Sequence, residues 1–264
     1  MVREMREWFR TLARAGYAAR GLIYSVIGFF AALAAIGSGE AMGSRDALML
    51  LLSSGAGRVL AYALIAGFVF YALWRLVQAG FDTDRHGTDA KGLAIRGGLL
   101  VSGLIYAGLA SYTWSLALGA SRQGGGNSGE WAQMLAGFVG GRWIAAGLAL
   151  ALAGVGTAHI VKAVRERYAK YLDADDRAMK AIHPIAKTGL IARGAVFLVT
   201  AFLFATRSFR GGEEASLKTA LEFVQGLPLG WLLLSLAGIG LIAFAIYSFA
   251  EAIYRRINVE EAHM

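Results

Sequence analysis

One short sequence pattern occurs three times along this chain. The block 14–24, RAGYAARGLIY, returns as 96–106, RGGLLVSGLIY, and again as 187–197, KTGLIARGAVF. Each block opens a long apolar run, and a second apolar run closes each unit. Repetition of this kind is typical of chains built from copies of one supersecondary unit. We therefore predict three two-helix repeats, at about 12–81, 94–168 and 185–256, which follow an amphipathic arm at 2–13.

The composition indicates a membrane protein. Hydrophobic residues make up 57% of the 264 residues and charged residues only 17%, which is too apolar for an ordinary soluble domain. Glycine occurs 35 times and proline twice, and this combination suits closely packed transmembrane helices. Cysteine is absent, so disulfides, thiolate metal sites and catalytic thiols are excluded. We expect no cofactor and no bound metal.

Six apolar runs are long enough to cross a bilayer, which takes about 20 helical residues. The runs lie near 18–36, 59–79, 99–118, 143–164, 189–206 and 229–253. The first also resembles a secretory signal, but its apolar stretch exceeds the roughly 7–15 residues of a signal core, which favours a transmembrane span. The predicted fold class is all-α: an integral membrane six-helix bundle made of three parallel two-helix repeats with pseudo-threefold symmetry. Residues 1–264 then form a single transmembrane domain.

The basic residues predict the orientation in the membrane. They concentrate in the N-terminal arm, in the second and fourth connections and in the C-terminal tail, beside the apolar runs. By the positive-inside rule, both the N- and C-termini are cytoplasmic. Orientation therefore explains the net charge of +8 better than nucleic-acid binding does. We expect membrane lipids as partners and no nucleic acid.

Short amphipathic segments lie outside the six runs. Each predicted hairpin has an outer connection that opens with Ser or acidic residues and then turns apolar, as helix N-termini do, at 44–51, 128–135 and 213–221. An interfacial helix and an ordinary helical loop both fit this pattern. The arm at 2–13 carries arginines at helical steps and either binds anionic lipid or only sets the topology.

The repeat resembles a family of bacterial membrane proteins known as domain of unknown function 1206. The resemblance rests on the Arg/Lys-x-Gly-x-x-x-Arg/Ser-Gly starts of the three blocks, and on Gly-x-x-x-Tyr71 and Gly-x-x-x-Phe244 in the returning helices. It covers nearly the whole chain, and the middle repeat departs most because Ser102 replaces the arginine. The resemblance implies the fold and a location in the bacterial inner (cytoplasmic) membrane, and it implies no reaction.

Two sets of equivalent positions bring polar residues into the predicted spans near their cytoplasmic ends. The first set is Arg20, Ser102 and Arg193, and the second is Gln78, Arg165 and Glu251. Polar residues within a span are costly and often functional, which favours a polar vestibule open to the cytoplasm. Long side chains near a helix end also reach the interface without having any function, so a purely anchoring role stays open.

Glu251 and His159 add two further alternatives. Glu251 can pair with Arg255 one turn on or with Arg193 on the preceding span. His159 is the only histidine within a predicted span and has small neighbours, so its ring either packs against another helix or relays a proton. Packing is the favoured interpretation. The sequence shows no set of residues that could act as a nucleophile, a general base and a group that orients the base. We therefore expect no enzyme activity.

Three classes of function fit these observations. The favoured class is a structural or partner-binding membrane component, whose partner would be another membrane protein subunit. It is favoured because the polar residues within the predicted spans are few and lie mostly near the ends of the spans. A small-solute transporter or channel is the alternative, since the equivalent polar positions can form a vestibule. An enzyme is the least favoured class.

The predicted orientation can be tested with fusions after Glu251. A fluorescent protein that folds only in the cytoplasm is expected to fluoresce there, because the positive-inside rule places this end on the cytoplasmic side. Alkaline phosphatase at the same position is expected to be inactive, since it needs the outer side. Active phosphatase and a dark fluorescent fusion would contradict the orientation.

Overall fold

The described part of the chain is helical. The structure, a computed structural model, describes residues 2–36, 49, 53, 57–82, 87–118, 141–208 and 217–256. The helices are α1 (Val2–Ala35), α2 (Gly57–Phe81), α3 (Ala90–Ala117), α4 (Gly141–Val164), α5 (Asp176–Ser208), α6 (Leu217–Gln225) and α7 (Gly230–Tyr254), with a 3₁₀ turn at Ala169–Tyr171. The predicted all-α class is confirmed for these residues.

Five helices are long and apolar enough to cross a membrane. They contain the segments Ala13–Ala35, Ala61–Phe81, Ala90–Ala117, Asp176–Leu203 and Gly230–Tyr254. These segments overlap five of the predicted spans, so the chain is a multi-pass membrane protein. The remaining predicted span, 143–164, lies in α4, where the apolar helical stretch Ala149–Val164 is shorter.

The structure describes only some of the predicted amphipathic segments. α1 runs without a break from Val2 to Ala35, so the arm at 2–13 continues into the first span as one helix. α6 covers most of the third predicted outer segment, 213–221. The other two outer segments, 44–51 and 128–135, lie outside the described residues apart from Met49.

Two of the helices begin at aspartate caps. The side chain of Asp89 accepts a hydrogen bond from the Gly92 amide at 2.9 Å at the start of α3. Asp175 does the same for the Ala178 amide at 2.7 Å at the start of α5. An aspartate at this position satisfies an amide that has no partner within the helix. The caps therefore fix where α3 and α5 begin.

The described chain divides into two compact units. The first unit holds α1 up to Arg20, α2, α3 and the end of α7 from Ser248. The second holds α1 from Gly21, then α4, α5, α6 and α7 up to Tyr247. The three sequence repeats therefore do not coincide with the two units, because the middle repeat contributes α3 to one unit and α4 to the other.

In the first unit, glycine lets helix backbones approach closely. A Cβ added to Gly16 on α1 would lie 2.8 Å from the Tyr71 Cα on α2. One added to Gly67 on α2 would lie 3.2 Å from the Ala15 carbonyl oxygen on α1. Small residues allow such contacts, which drive helix association where lipid surrounds both helices. The α1–α2 crossing therefore depends on glycine on both helices.

The second unit contains the same crossing in the third repeat. A Cβ added to Gly189 on α5 would lie 2.5 Å from the Phe244 Cα on α7. The repeat alignment makes Gly189 equivalent to Gly16, and Phe244 equivalent to Tyr71. By contrast, a Cβ added to Gly154 on α4 would meet no described atom within 4 Å. The first and third repeats thus share a helix crossing.

Substitution of these glycines distinguishes crowded from open positions. Gly189→Ala is expected to destabilise the protein by about 1–3 kcal/mol, because the new methyl group must displace the α7 backbone. Gly154→Ala is the matched control and is expected to be neutral or slightly stabilising, since alanine favours the helix. Thermal unfolding in detergent measures both. Equal melting temperatures for the two variants would contradict the crossing.

Candidate functional site

Arginine and tyrosine side chains alternate in the first unit. The Arg255 guanidinium carbon lies 5.1 Å from the Tyr17 ring centroid, and that of Arg20 lies 5.0 Å from the same centroid. Arg20 also lies 5.5 Å from the Tyr71 ring, and Arg75 lies 4.7 Å from it. Cations at such distances are attracted to the faces of aromatic rings. We call these five residues the arginine–tyrosine ladder.

The close crossing of α1 and α2 positions the ladder. Gly16 lets α2 approach α1 at Tyr71, and Tyr17 follows Gly16 directly. The two tyrosine rings meet edge to face with centroids 5.2 Å apart. Arg20 lies one helical turn after Gly16, and Arg75 lies one turn after Tyr71, so each shares a helix face with its predecessor. Helical spacing therefore brings the cations to the rings.

One carboxylate, that of Glu251, serves two of the arginines. Arg20 donates to Glu251 through Nη2, to Ser248 Oγ at 3.1 Å and to the Tyr71 hydroxyl at 2.9 Å. Arg255 donates to the other Glu251 oxygen at 2.8 Å. Arg20 is 5% exposed and Glu251 is 2% exposed. The pairing of Glu251 with Arg255 is therefore present in the structure, with Arg20 as the second partner.

Arg75 has a different kind of partner. It donates to Gln78 Oε1 at 2.9 Å and to the Tyr71 hydroxyl, and both acceptors are neutral. Its buried Nε has no hydrogen-bond partner among the described residues, and the fully buried Tyr17 hydroxyl likewise has none there. No carboxylate in the described chain pairs with Arg75. In the ladder, Arg20 and Arg255 therefore pair with the carboxylate of Glu251, whereas Arg75 bonds to neutral acceptors.

In the second unit, Arg193 is surrounded by aromatic rings. Its guanidinium carbon lies 4.8 Å from the centroid of Tyr24, 5.1 Å from that of Phe197 and 4.3 Å from that of Phe244. Its buried Nε has no hydrogen-bond partner in the described ranges. Arg20 and Arg193, which are equivalent in the repeat, thus each lie by one equivalent ring, that of Tyr71 or of Phe244. Of the two, only Arg20 has a carboxylate partner among the residues that the structure describes.

His159 is bound to its own helix in the second unit. Its Nδ1–H donates to the Val155 carbonyl at 2.8 Å. The ring lies 5.7 Å from that of Phe197 and 6.5 Å from that of Phe244. His159 therefore contacts the same two rings as Arg193.

The remaining polar positions predicted from the sequence are divided between the units. Gln78 is 1% exposed and joins the ladder through Arg75. Ser102 is half-buried on α3 in the first unit, while Arg165 is exposed just after α4 in the second. The structure therefore brings Arg20, Glu251 and Gln78 to one site, and places Arg193, Arg165 and His159 in the other unit.

Sequence reasoning did not identify the two ladder tyrosines. Tyr17 and Tyr71 each lie within one helical turn of a ladder arginine on their own helix. Aromatic and basic residues three or four positions apart share a helix face, and this spacing is the signal that would have indicated them.

A hydrogen-bonded group lies in the connection between α4 and α5. The Tyr168 hydroxyl is 2.9 Å from His183 Nδ1 and donates to the His183 carbonyl at 3.2 Å. Burial, and secondarily the Glu166 carboxylate, raise the pKa of the Tyr168 phenol. Glu166 also lies 3.7 Å from the Lys187 amine. These contacts tie the connection to the start of α5.

A known protein family matches this chain in three segments, which correspond to the three sequence repeats. The family described as "Domain of Unknown Function (DUF1206)" matches three segments, at residues 15–82, 97–166 and 188–255. A relative from Bacillus subtilis (strain 168), "Uncharacterized protein YxxB", is 27% identical over 265 residues, covering 98% of this chain and 95% of the relative. No solved structure matches the chain. The resemblance seen in the repeat blocks is confirmed.

Because Arg20 and Arg255 share the Glu251 carboxylate, we predict how strongly substitutions at this site reduce the stability of the protein. Glu251→Gln is expected to destabilise the protein most, by about 3–5 kcal/mol, because it removes the charge that Arg20 and Arg255 share. Arg255→Gln is expected to cost less, since Glu251 keeps its bond to Arg20. The exposed Arg165→Gln is the control and is expected to stay within about 0.5 kcal/mol of wild type. Thermal unfolding in detergent measures the order, and an equal effect of Glu251→Gln and Arg165→Gln would refute it.

Proposed function

The chain belongs to the family described as Domain of Unknown Function (DUF1206), and from this premise we propose that it is a structural or partner-binding component of the bacterial inner membrane. The observation that carries this proposal is the bonding of Arg20. Its three donor nitrogens all bond to groups of the protein, on α2 and α7. A buried cation satisfied in this way holds helices together instead of lining an open path.

The architecture that we propose is the six-helix bundle of three parallel repeats with pseudo-threefold symmetry, in one domain. α4 supports it as the sixth span, because its 24 residues exceed the about 20 that a crossing needs. The equivalent glycines Gly103 and Gly194 support the symmetry. Each lies against the returning helix of the preceding repeat, at Ala72 and at Gly156 respectively.

We place both termini in the cytoplasm, because the basic residues concentrate on that side. The partners proposed are membrane lipids and a second membrane protein subunit. Exposed apolar side chains along α2, α3 and α7 supply a surface for both, among them Tyr62, Leu104 and Leu236. No cofactor and no catalysed reaction are part of the proposal.

A small-solute transporter or channel is the second candidate. Two observations favour it: Arg75 and Arg193 have no carboxylate partner among the described residues, and both lie within candidate spans. A cation left in this state is typical of sites along substrate or ion pathways. In this candidate, the vestibule predicted from the sequence would include the ladder.

The presence of a second subunit is tested by purifying the protein from its native membrane in a mild detergent. A stoichiometric companion is expected to stay with the protein through an affinity step and a size-exclusion step, because a partner-binding component is isolated with its partner. The same protein made in a foreign membrane is the control and is expected to elute alone. Isolation of the bare protein from both membranes would contradict the proposal.

Flux into proteoliposomes separates the two candidates. Wild type and Arg193→Gln are expected to show the same solute and ion flux as protein-free liposomes, since the proposed component conducts nothing. Flux in the wild type that Arg193→Gln abolishes while the melting temperature is kept would favour the transporter instead.

A further inference from the structure

The connection between α4 and α5 begins with three exposed cations, Arg165, Arg167 and Lys170. We call these three residues the basic turn. None of them pairs with a carboxylate in the part of the chain that the structure describes. The acidic residue among them, Glu166, instead lies 3.7 Å from the amine of Lys187 on α5. The three cations are therefore available to an anion from outside the protein.

The backbone at the end of α4 determines where the basic turn begins. Glu166 has a left-handed φ of 50°, and its amide bonds to the Ala163 carbonyl at 3.2 Å. The Arg167 amide bonds to the Lys162 carbonyl at 3.0 Å. These two hydrogen bonds form a Schellman motif, which ends a helix and turns the chain. Arg165 and Arg167 therefore stay beside the end of α4.

Buried residues hold this connection against the helices of the second unit. Tyr168 is fully buried, and its hydroxyl is 2.9 Å from His183 Nδ1 on α5. The Tyr168 ring lies 5.9 Å from that of Tyr247 on α7. Leu172, at the end of the 3₁₀ turn, is buried as well. The connection therefore packs on the helix ends, and the basic turn remains close to them.

The headgroups of the bilayer lie at the level of the basic turn. The apolar stretch of α4 ends at Val164, which is 60% exposed. An exposed apolar side chain in a span faces lipid, and cations directly beyond it reach the interface. Arg165 follows Val164 at once. This placement rests on α4 as the sixth span, which is part of the proposed architecture.

The middle repeat differs from the other two at the position of Arg165. The equivalent residues, Gln78 and Glu251, are both buried and bond to arginines of the ladder. Arg165 is exposed instead. The polar side chain at this position joins helices in the first and third repeats, whereas in the middle repeat it faces outward.

We propose that the basic turn binds the negatively charged headgroups of phospholipids, in the leaflet that the predicted orientation assigns to the cytoplasm. A guanidinium fork matches phosphate oxygens in a bidentate manner, and cations next to a span attract anionic lipid. The inference specifies the lipid partner of the proposed function and rests on that part of it. It does not involve the second subunit, so it can fail while the purification experiment succeeds.

The lipids beside the basic turn can be measured directly. The chain has no cysteine, so Val164→Cys provides a single site for a fluorophore next to Arg165. The labelled protein is placed in nanodiscs of phosphatidylglycerol and phosphatidylcholine, with a nitroxide on the acyl chain of one lipid or the other. Quenching across lipid mixtures gives the association constant of phosphatidylglycerol relative to phosphatidylcholine at this site. We expect a value above one.

The double variant Arg165→Gln, Arg167→Gln is expected to lower this constant about fivefold or more, because each cation near an anionic surface contributes roughly that factor. Both residues are exposed, so the melting temperature is expected to stay as in wild type. Glu166→Gln is expected to raise the constant, since it removes a negative charge and releases Lys187.

The matched control is the double variant Arg177→Gln, Lys180→Gln. It removes the same charge from exposed positions on α5, where Asp175 and Asp176 lie beside these cations in the sequence. This control is expected to keep the constant of wild type. Both leaflets of a nanodisc have the same lipids, so an effect of the substitutions on membrane orientation does not alter the measurement.

Three results would overturn the proposal. The first is a relative association constant of one in the wild type. The second is an equal loss in the two double variants, which would show only a general effect of net charge. The third is displacement of phosphatidylglycerol by soluble glycerol phosphate at constant ionic strength, because the turn would then recognise phosphate without a membrane. Loss in the first double variant alone, with no displacement by glycerol phosphate, is the expected result.

Discussion

Close contact between helix backbones is the constraint on which the rest of the structure depends. Lipid tails are as apolar as the helices, so association relies on packing at small residues. Gly16 admits Tyr71, and Gly189 admits Phe244. The residue one turn after each glycine is an arginine, Arg20 or Arg193 in turn, and the crossing brings it to the aromatic ring. The glycine positions thereby determine which cations are held within the spans.

The two crossings show how one scaffold supports different electrostatics. Arg20 stacks on Tyr71 and also bonds to Glu251, while Arg193 has three aromatic rings and, in the described part of the chain, no carboxylate partner. A ring face attracts a cation by about 0.5–2 kcal/mol, which is small beside the cost of a buried charge. The carboxylate, and not the ring, therefore decides whether a cation is compensated.

Some of this structure could be predicted from sequence because its causes are local. The helical class and five spans follow from the length of apolar runs, and the pairing of Glu251 with Arg255 follows from a spacing of one turn. The bond between Arg20 and Glu251 joins residues 231 positions apart, and only the packing of the first and last helices creates it. The ladder likewise needs two helices, α1 and α2, to meet before Tyr17 and Tyr71 come together.

Gln78 and Glu251 are equivalent in the repeat, yet they do different things for the arginines that they contact. Gln78 accepts a hydrogen bond from Arg75 but contributes no charge, whereas Glu251 does both for Arg20. A glutamate at position 78 would give Arg75 the carboxylate partner that it lacks among the described residues. An amide oxygen accepts a hydrogen bond but carries no charge, so Gln78 satisfies one donor of Arg75 without compensating its charge. The asymmetry between repeats, and not the repeat itself, thus determines that Arg20 has a carboxylate partner while Arg75 has an amide partner.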